Sequence, residues 1–263
     1  MPVNCSINID RLSTEDFRAF DYTVMGHMFA SQNEIGRLAD EQVYRSDVAK
    51  RLDAAGMQSD QEISVNVAYM TFAKTLSLDL VVSKKALYEL KAVATLNSNH
   101  VSQLLTYLYL LDLPRGKLVN FRSTSVESRF VNAPIPRVER CGFSVSEHSF
   151  QGDRNLLELA VGLVRDWGTS LSVSLYHQAL VHLLGGKESV QRMLPLTRDG
   201  QHLANQRFHL VDEHTAFELT AFAKLDIKFT EQLHRLLMLS PLQRLHWINI
   251  GSHSINFHTI DRT

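Results

Sequence analysis

Apolar residues recur at helical spacing through the first third of the chain. Phe17, Phe20, Val24 and Met28 share one face, so the spacing predicts a helix over Phe17–Ala30, with Ser13 or Thr14 as its N-cap. A second helix is expected from Leu38 to Ala54, stopped by Gly56. The period then changes. Glu62–Tyr69, Thr75–Val82 and Ala86–Val93 read as strands. In L-S-L-D-L-V-V, the residues Leu76, Leu78, Leu80 and Val82 line one face and Asp79 points to the other. A helix over Ser98–Leu111 leads through Pro114-Arg115-Gly116 into an apolar strand, Lys117–Phe121. Pro134 and Pro136 interrupt both periods between Asn132 and Arg140, which reads as a linker.

Beyond that break the same order returns. Helices are expected over Asn155–Trp167 and Leu171–Leu184, the latter closed by Gly185-Gly186. Strands follow near Val190–Leu196, Phe208–Val211 and Ala216–Phe222, then a helix over Thr230–Leu239 and a strand over Leu245–Ile250. A constant shift of 129 residues, Glu89 to Glu218, aligns the halves without a gap from Val82 to Ser125. It repeats Glu89-Leu90 as Glu218-Leu219, Gln103-Leu104 as Gln232-Leu233, and Asn120 as Asn249. Upstream the register slips and brings Tyr44 onto Tyr176. Identities kept on a strand motif and a helix motif together read as an internal duplication. The expected fold is therefore mixed α/β, an αβββαβ core duplicated in tandem. Its parts are a first domain over residues 1–133, a linker over 134–152 and a second copy over 153–263.

The chain has 263 residues, with 44% apolar and 21% charged, which suits a globular protein with a real core. No apolar run approaches the roughly 20 residues of a membrane helix, and M-P-V-N-C-S lacks the marks of a secretory leader. Cys5 and Cys141 are too few for a disulfide framework and read as reduced thiols, which points to the cytoplasm. Ten of twelve histidines lie beyond Arg140; without a zinc-hydrolase spacing they are expected at surface and edge positions. The net charge of −1 argues against tight stand-alone DNA binding, although it permits a local basic groove.

Chemistry concentrates in the first half. Glu89 and Lys91, two apart on a strand, leave the same face roughly 7 Å apart. Asp79 lies ten residues earlier, across an expected tight hairpin. It interrupts an apolar strand, where an unpaired carboxylate would be costly. Two converging carboxylates and the Leu90 carbonyl make an all-oxygen site suited to Mg²⁺ or Mn²⁺. Lys91 would hold the attacking water and offset transition-state charge. Asp79, Glu89, Lys91 and Gln103, in this order on strand, strand and helix, follow the pattern of a two-metal-type nuclease centre. A structural salt bridge between Asp79 and Lys91 is the competing reading. Glu41 and Tyr44 form an i, i+3 pair and Gln103 and Tyr107 an i, i+4 pair, so each couple shares a helix face, for chemistry or for packing.

From about Phe20 to Val131 the chain resembles the GxxExxY family of the PD-(D/E)XK nuclease superfamily. The resemblance rests on A-D-E-Q-V-Y, L-D-L-V-V, Y-E-L-K-A-V, H-V-S-Q-L-L-T-Y-L and L-V-N-F, in order and at family-like spacing. The glycine the family places three residues before Glu41 is Leu38 here, with Gly36 nearby. The resemblance implies a restriction-endonuclease-like core and metal-dependent phosphodiester hydrolysis, of DNA ahead of RNA. It implies that Glu41 completes a metal set of Asp79, Glu89 and the Leu90 carbonyl, that Gln103 and Tyr107 orient substrate or Lys91, and that Tyr44 binds or orients substrate. In the second half Asp79 is matched by Phe208, Lys91 by Thr220 and Glu41 by Val173, so that copy should be catalytically dead. It would serve as a built-in partner, a pseudo-dimer within one chain that suits a monomer. The alternative is a non-catalytic interaction module that keeps the nuclease fold.

Overall fold

The computed structural model describes residues 3–152, 154–223 and 225–262, and divides the chain into two compact units. The first comprises residues 1–68 and 73–136, the second residues 69–72 and 137–263. Among the described residues, no helix is long and apolar enough to cross a membrane.

The first unit is a six-stranded sheet, in the order β1 (Val3–Cys5), β2 (Ser59–Tyr69), β3 (Phe72–Val82), β4 (Ala86–Lys91), β5 (Arg115–Asn120), β6 (Glu127–Asn132). Helices α1 (Thr14–Ile35) and α2 (Glu41–Ala54) precede β2, and α3 (Ser98–Leu110) joins β4 to β5. From α2 to β5 this is the αβββαβ order, and the crossover through α3 makes β4 and β5 parallel. Ser13 caps α1 as expected, its hydroxyl accepting from Asp16 N. The helix runs five residues further than its apolar period, to Ile35, where Gly36 turns the chain at φ 80°.

One sheet face packs against α1 and α2. Phe17, Val24, Met28, Tyr44, Val48 and Leu52 meet Leu80, Val82, Tyr88, Leu90, Val119 and Phe121 in one core. The opposite face takes α3, which approaches β5 closely because Gly116 lacks a side chain. A Cβ there would lie 3.0 Å from Leu87 O and 3.2 Å from both Leu104 Cδ1 and Leu108 Cδ2. Gly116→Val should therefore lift α3 off the sheet and cost about 1–3 kcal/mol by overpacking, read as a lower urea midpoint.

In the second unit α4 (Arg137–Cys141) and β7 (Ser144–Ser149) come first, followed by α5 (Arg154–Trp167), α6 (Val173–Leu183) and the short α7 (Lys187–Val190). β8 (Gln191–Arg198) and β9 (Gln201–His209) form a two-stranded ribbon. β10 (Thr215–Thr220), α8 (Ile227–Leu239), β11 (Arg244–Ile250) and β12 (Ser254–Asp261) complete it, with a sheet order of β10-β11-β12-β7. The stretch 134–152 is thus not a bare linker. Its prolines end at Pro136, and Ser144–Ser149 pairs in parallel with β12 as an edge strand. With Val145 as its one aliphatic residue, S-V-S-E-H-S carries too little apolar signal to read as a strand. Histidines also depart from expectation. His246 is 2% exposed on β11, and the rings of His177 and His209 lie 4.1 Å apart.

The two units share more than an element order. β4 pairs β5 with Glu89 opposite Leu118 and Lys91 opposite Asn120; β10 pairs β11 with Glu218 opposite Trp247 and Thr220 opposite Asn249. The pair Val81↔Leu87 has its equivalent in the bridge Leu210↔Ala216. Tyr44 donates to Gly36 O and accepts from Ala39 N; Tyr176 donates to Gly168 O and accepts from Leu171 N. Asn120 holds both backbone groups of Val93, as Asn249 holds both of Phe222.

Candidate active site

The site forms where β3 and β4 part. Their ladder ends at the pair Leu80↔Tyr88, which leaves the next backbone donor of β4 without a strand partner. Asp79 supplies one: its Oδ2 accepts from Leu90 N at 2.8 Å. The polar interruption of an apolar strand thus fills the gap that the fork opens. On the other side β4 stays closed. Phe121 N donates to Lys91 O at 2.8 Å, and Asn120 takes Val93 N at 3.0 Å and gives its amide to Val93 O at 2.8 Å. These bonds fix the strand end that carries Glu89 and Lys91.

Glu89 is fully buried and Asp79 is 8% exposed. Lys91 Nζ lies 2.6 Å from Glu89 Oε1, 2.7 Å from Leu90 O and 3.5 Å from Asp79 Oδ2. Glu41, the first residue of α2, brings its Oε2 to 3.7 Å from the same ammonium. The four residues expected to share a site therefore surround one nitrogen. A carboxylate in the first turn of α2 also faces the positive end of the helix dipole.

The electrostatics follow from burial and crowding. Burial, and then the neighbouring Asp79 charge, push the Glu89 carboxyl up to about 8 against the pull of Lys91. Burial likewise raises Glu41, with Lys91 opposing. For Lys91 burial works against the charged form, but Glu89, Asp79 and Glu41 outweigh it and hold the ammonium above its ordinary range. Tyr107 is pushed up to about 12, by burial first and by Glu89 second, so it stays a neutral hydroxyl.

Gln103 and Tyr107 do not reach Lys91. The Gln103 amide donates to Tyr107 Oη at 3.0 Å, one turn along α3. Tyr44 is fully buried and stacks on Phe121, with ring centroids 4.5 Å apart and an interplanar angle of 6°. It pins the turn before α2 by donating to Gly36 O and accepting from Ala39 N. Its role is to place α2, and with it Glu41.

Arg45 was not expected here. It lies one helical turn after Glu41, is 8% exposed, and places NH1 3.5 Å from Asp79 Oδ1 and 3.9 Å from Glu41 Oε1. Its NH2 reaches Glu62 Oε1 at 2.6 Å. The signal lay in the i, i+4 spacing of an acid and a base on one helix face.

Among the described residues, no three acidic, histidine or cysteine side chains stand as a formed metal cage, because the Lys91 ammonium lies amid the carboxylates. The donor set nevertheless suits a hard divalent ion: three carboxylates, one of them with a buried oxygen, Glu89 Oε2, that has no hydrogen-bond partner.

In the second unit the residues set against Asp79 and Lys91 by the 129-residue shift are apolar and neutral. Phe208 is buried at the position of Asp79, and Thr220 at that of Lys91 donates to Asn249 Oδ1 while accepting from Trp247 Nε1. Glu218 and Gln232 are exposed.

Comparison with known proteins bears on the first unit. The model of the PD-(D/E)XK nuclease superfamily matches residues 18–131. No curated protein and no solved structure matches the chain. The matched stretch takes in Glu41, Asp79, Glu89, Lys91, Gln103 and Tyr107, and marks the first unit as similar to nuclease domains that act on nucleic acid.

Proposed function

We propose that this protein is a divalent-metal-dependent nuclease of the GxxExxY type that hydrolyses phosphodiester bonds in DNA. The observation that carries this reading is the convergence of Glu41, Asp79 and Glu89 on one half-buried ammonium, all within 3.7 Å of Lys91 Nζ. A purely structural ion pair needs one carboxylate for its lysine. Crowding three around it, at the cost of raising two of them, fits a site that works on a further positive charge.

Glu41, Asp79, Glu89 and the Leu90 carbonyl would hold Mg²⁺ or Mn²⁺, which when bound polarises the scissile phosphate and acidifies a water. The chain's own residues supply the rest. Lys91 orients the attacking water and offsets charge building on the phosphate oxygens. Asp79 fixes the strand fork through Leu90 N and so sets the spacing between Glu89 and itself. Gln103 and Tyr107, linked on α3, offer a neutral donor surface to the substrate backbone.

The second unit would be a degenerate, catalytically dead copy, a built-in partner within one chain. Matching registers at β4–β5 and β10–β11 support a duplication, as do the paired roles of Tyr44 and Tyr176 and of Asn120 and Asn249.

The test is metal-dependent cleavage of linear and circular DNA, single- and double-stranded, with Asp79→Asn as the control variant. Wild type should cleave with Mg²⁺ or Mn²⁺ and melt at a higher temperature in their presence, since an ion held only by the folded state stabilises it. Asp79→Asn should lose both effects. A non-catalytic scaffold would give neither cleavage nor a carboxylate-dependent thermal shift.

A further inference from the structure

Glu41 and Asp79 each face two cations with different oxygens. Their Oε2 and Oδ2 atoms turn to Lys91 Nζ, at 3.7 and 3.5 Å. Their Oε1 and Oδ1 atoms turn to Arg45 NH1, at 3.9 and 3.5 Å. A two-metal centre sets its ions about 3.5–4 Å apart, each drawing on shared carboxylates. One of the two places on this carboxylate pair is filled by a guanidinium, which has no acceptor atom to offer a metal.

Arg45 is also held in place from outside. Glu62 Oε1 takes NH2 at 2.6 Å, and Glu62 adopts φ 51°, a left-handed conformation that favours glycine. A non-glycine residue kept there in the first half of β2 is tied to what its carboxylate reaches. Charge leads to the same place. When all are ionised, Glu41, Asp79, Glu89 and Glu62 face Lys91 and Arg45, so one divalent ion neutralises the cluster. A second would leave it doubly positive.

We infer that Arg45 stands where a second metal ion would sit and restricts the site to one divalent ion per chain, on the side of Glu89 and Lys91. This rests on the reading that the site binds a divalent ion. Arg45 then acts as a positioning residue: it keeps Glu41 and Asp79 together and leaves Oε2, Oδ2 and the unpartnered Glu89 Oε2 for the ion. The sequence pattern of a two-metal-type centre gives no hint of this, since the carboxylates alone would serve two ions equally well.

Titration of the full-length protein with Mn²⁺, followed by calorimetry and electron paramagnetic resonance, tests it. Only ions lost in the Asp79→Asn variant count. Wild type should bind one such ion with an uncoupled spectrum. Arg45→Met should admit a second and show the spin coupling of a close pair, whereas Arg45→Lys should stay at one. Two coupled ions in wild type, or a single ion in a folded Arg45→Met protein, would overturn the inference and leave a metal-dependent nuclease intact. Absence of any Asp79-dependent ion would overturn both. The wild-type stoichiometry decides even if Arg45→Met does not fold.

Discussion

Lys91→Ala is expected to reduce cleavage about a thousandfold while the chain stays folded. The loss follows from what the ammonium touches: Glu89 Oε1, Leu90 O and Asp79 Oδ2 all lie within 3.5 Å. With the ammonium gone, a metal ion alone is left to offset the anionic phosphate on the Glu89 side of the site. Removing one partner of a buried ion pair ordinarily costs about 3–5 kcal/mol of stability, because a bare charge is left behind. Here the cost should be far smaller. Glu89 already titrates near 8, and without Lys91 the two influences that lower it disappear. At neutral pH the carboxyl thus stays protonated and does not stand as an unpaired ion. Circular dichroism should therefore be unchanged beside a lost activity. Undiminished cleavage would remove Lys91 from the reaction, and collapse of the fold would make the pair structural.

Phe121→Ala should have the largest effect on stability, about 3–5 kcal/mol, or roughly 1–2 M in urea midpoint. The ring is fully buried and lies flat on Tyr44. Its backbone ties three elements together, since Phe121 N donates to Lys91 O and Phe121 O accepts from the Gln32 amide of α1. Deleting the ring leaves a cavity beside α2, the helix that delivers both Glu41 and Arg45. Cleavage measured below the new midpoint should fall as well, although Phe121 touches none of the acidic groups. A shift of less than about 1 kcal/mol would mean that the Tyr44 side chain alone sets the position of α2.

Much of the first unit was legible because its apolar residues keep strict periods. Leu78, Leu80 and Val82 are fully buried at period two, and the strands of the αβββαβ core fall within a few residues of expectation. Asp79 was conspicuous for the same reason: a carboxylate amid that alternation has to answer some need, and here it is the unpaired Leu90 N–H. What went unread lies at edges and on polar surfaces. β6, E-S-R-F-V-N, leaves Phe130 43% exposed and buries only Val131. β9 is exposed over seven of its nine residues, so only its last apolar turn, near Phe208, gave a signal. β12 does alternate through Ile255 and Phe257, but the buried position then slips from Thr259 to Ile260 and breaks the period. Arg45 escaped notice for a different reason. A charged residue on a helix normally points to water, and nothing in the sequence tells that Glu62 and Asp79 come to meet it.

Thr220 has a practical bearing on anyone who would build an active centre into the second unit. Its hydroxyl is the acceptor that keeps the Trp247 indole N–H satisfied inside the protein, and it donates in turn to Asn249. Writing a lysine into that position would strand the indole proton and thread a charged stem past a ring that is 1% exposed. Acidic and basic letters written at Phe208 and Thr220 would copy part of the first unit's motif but not supply its habitat. That corner of the second unit is wall, not doorway.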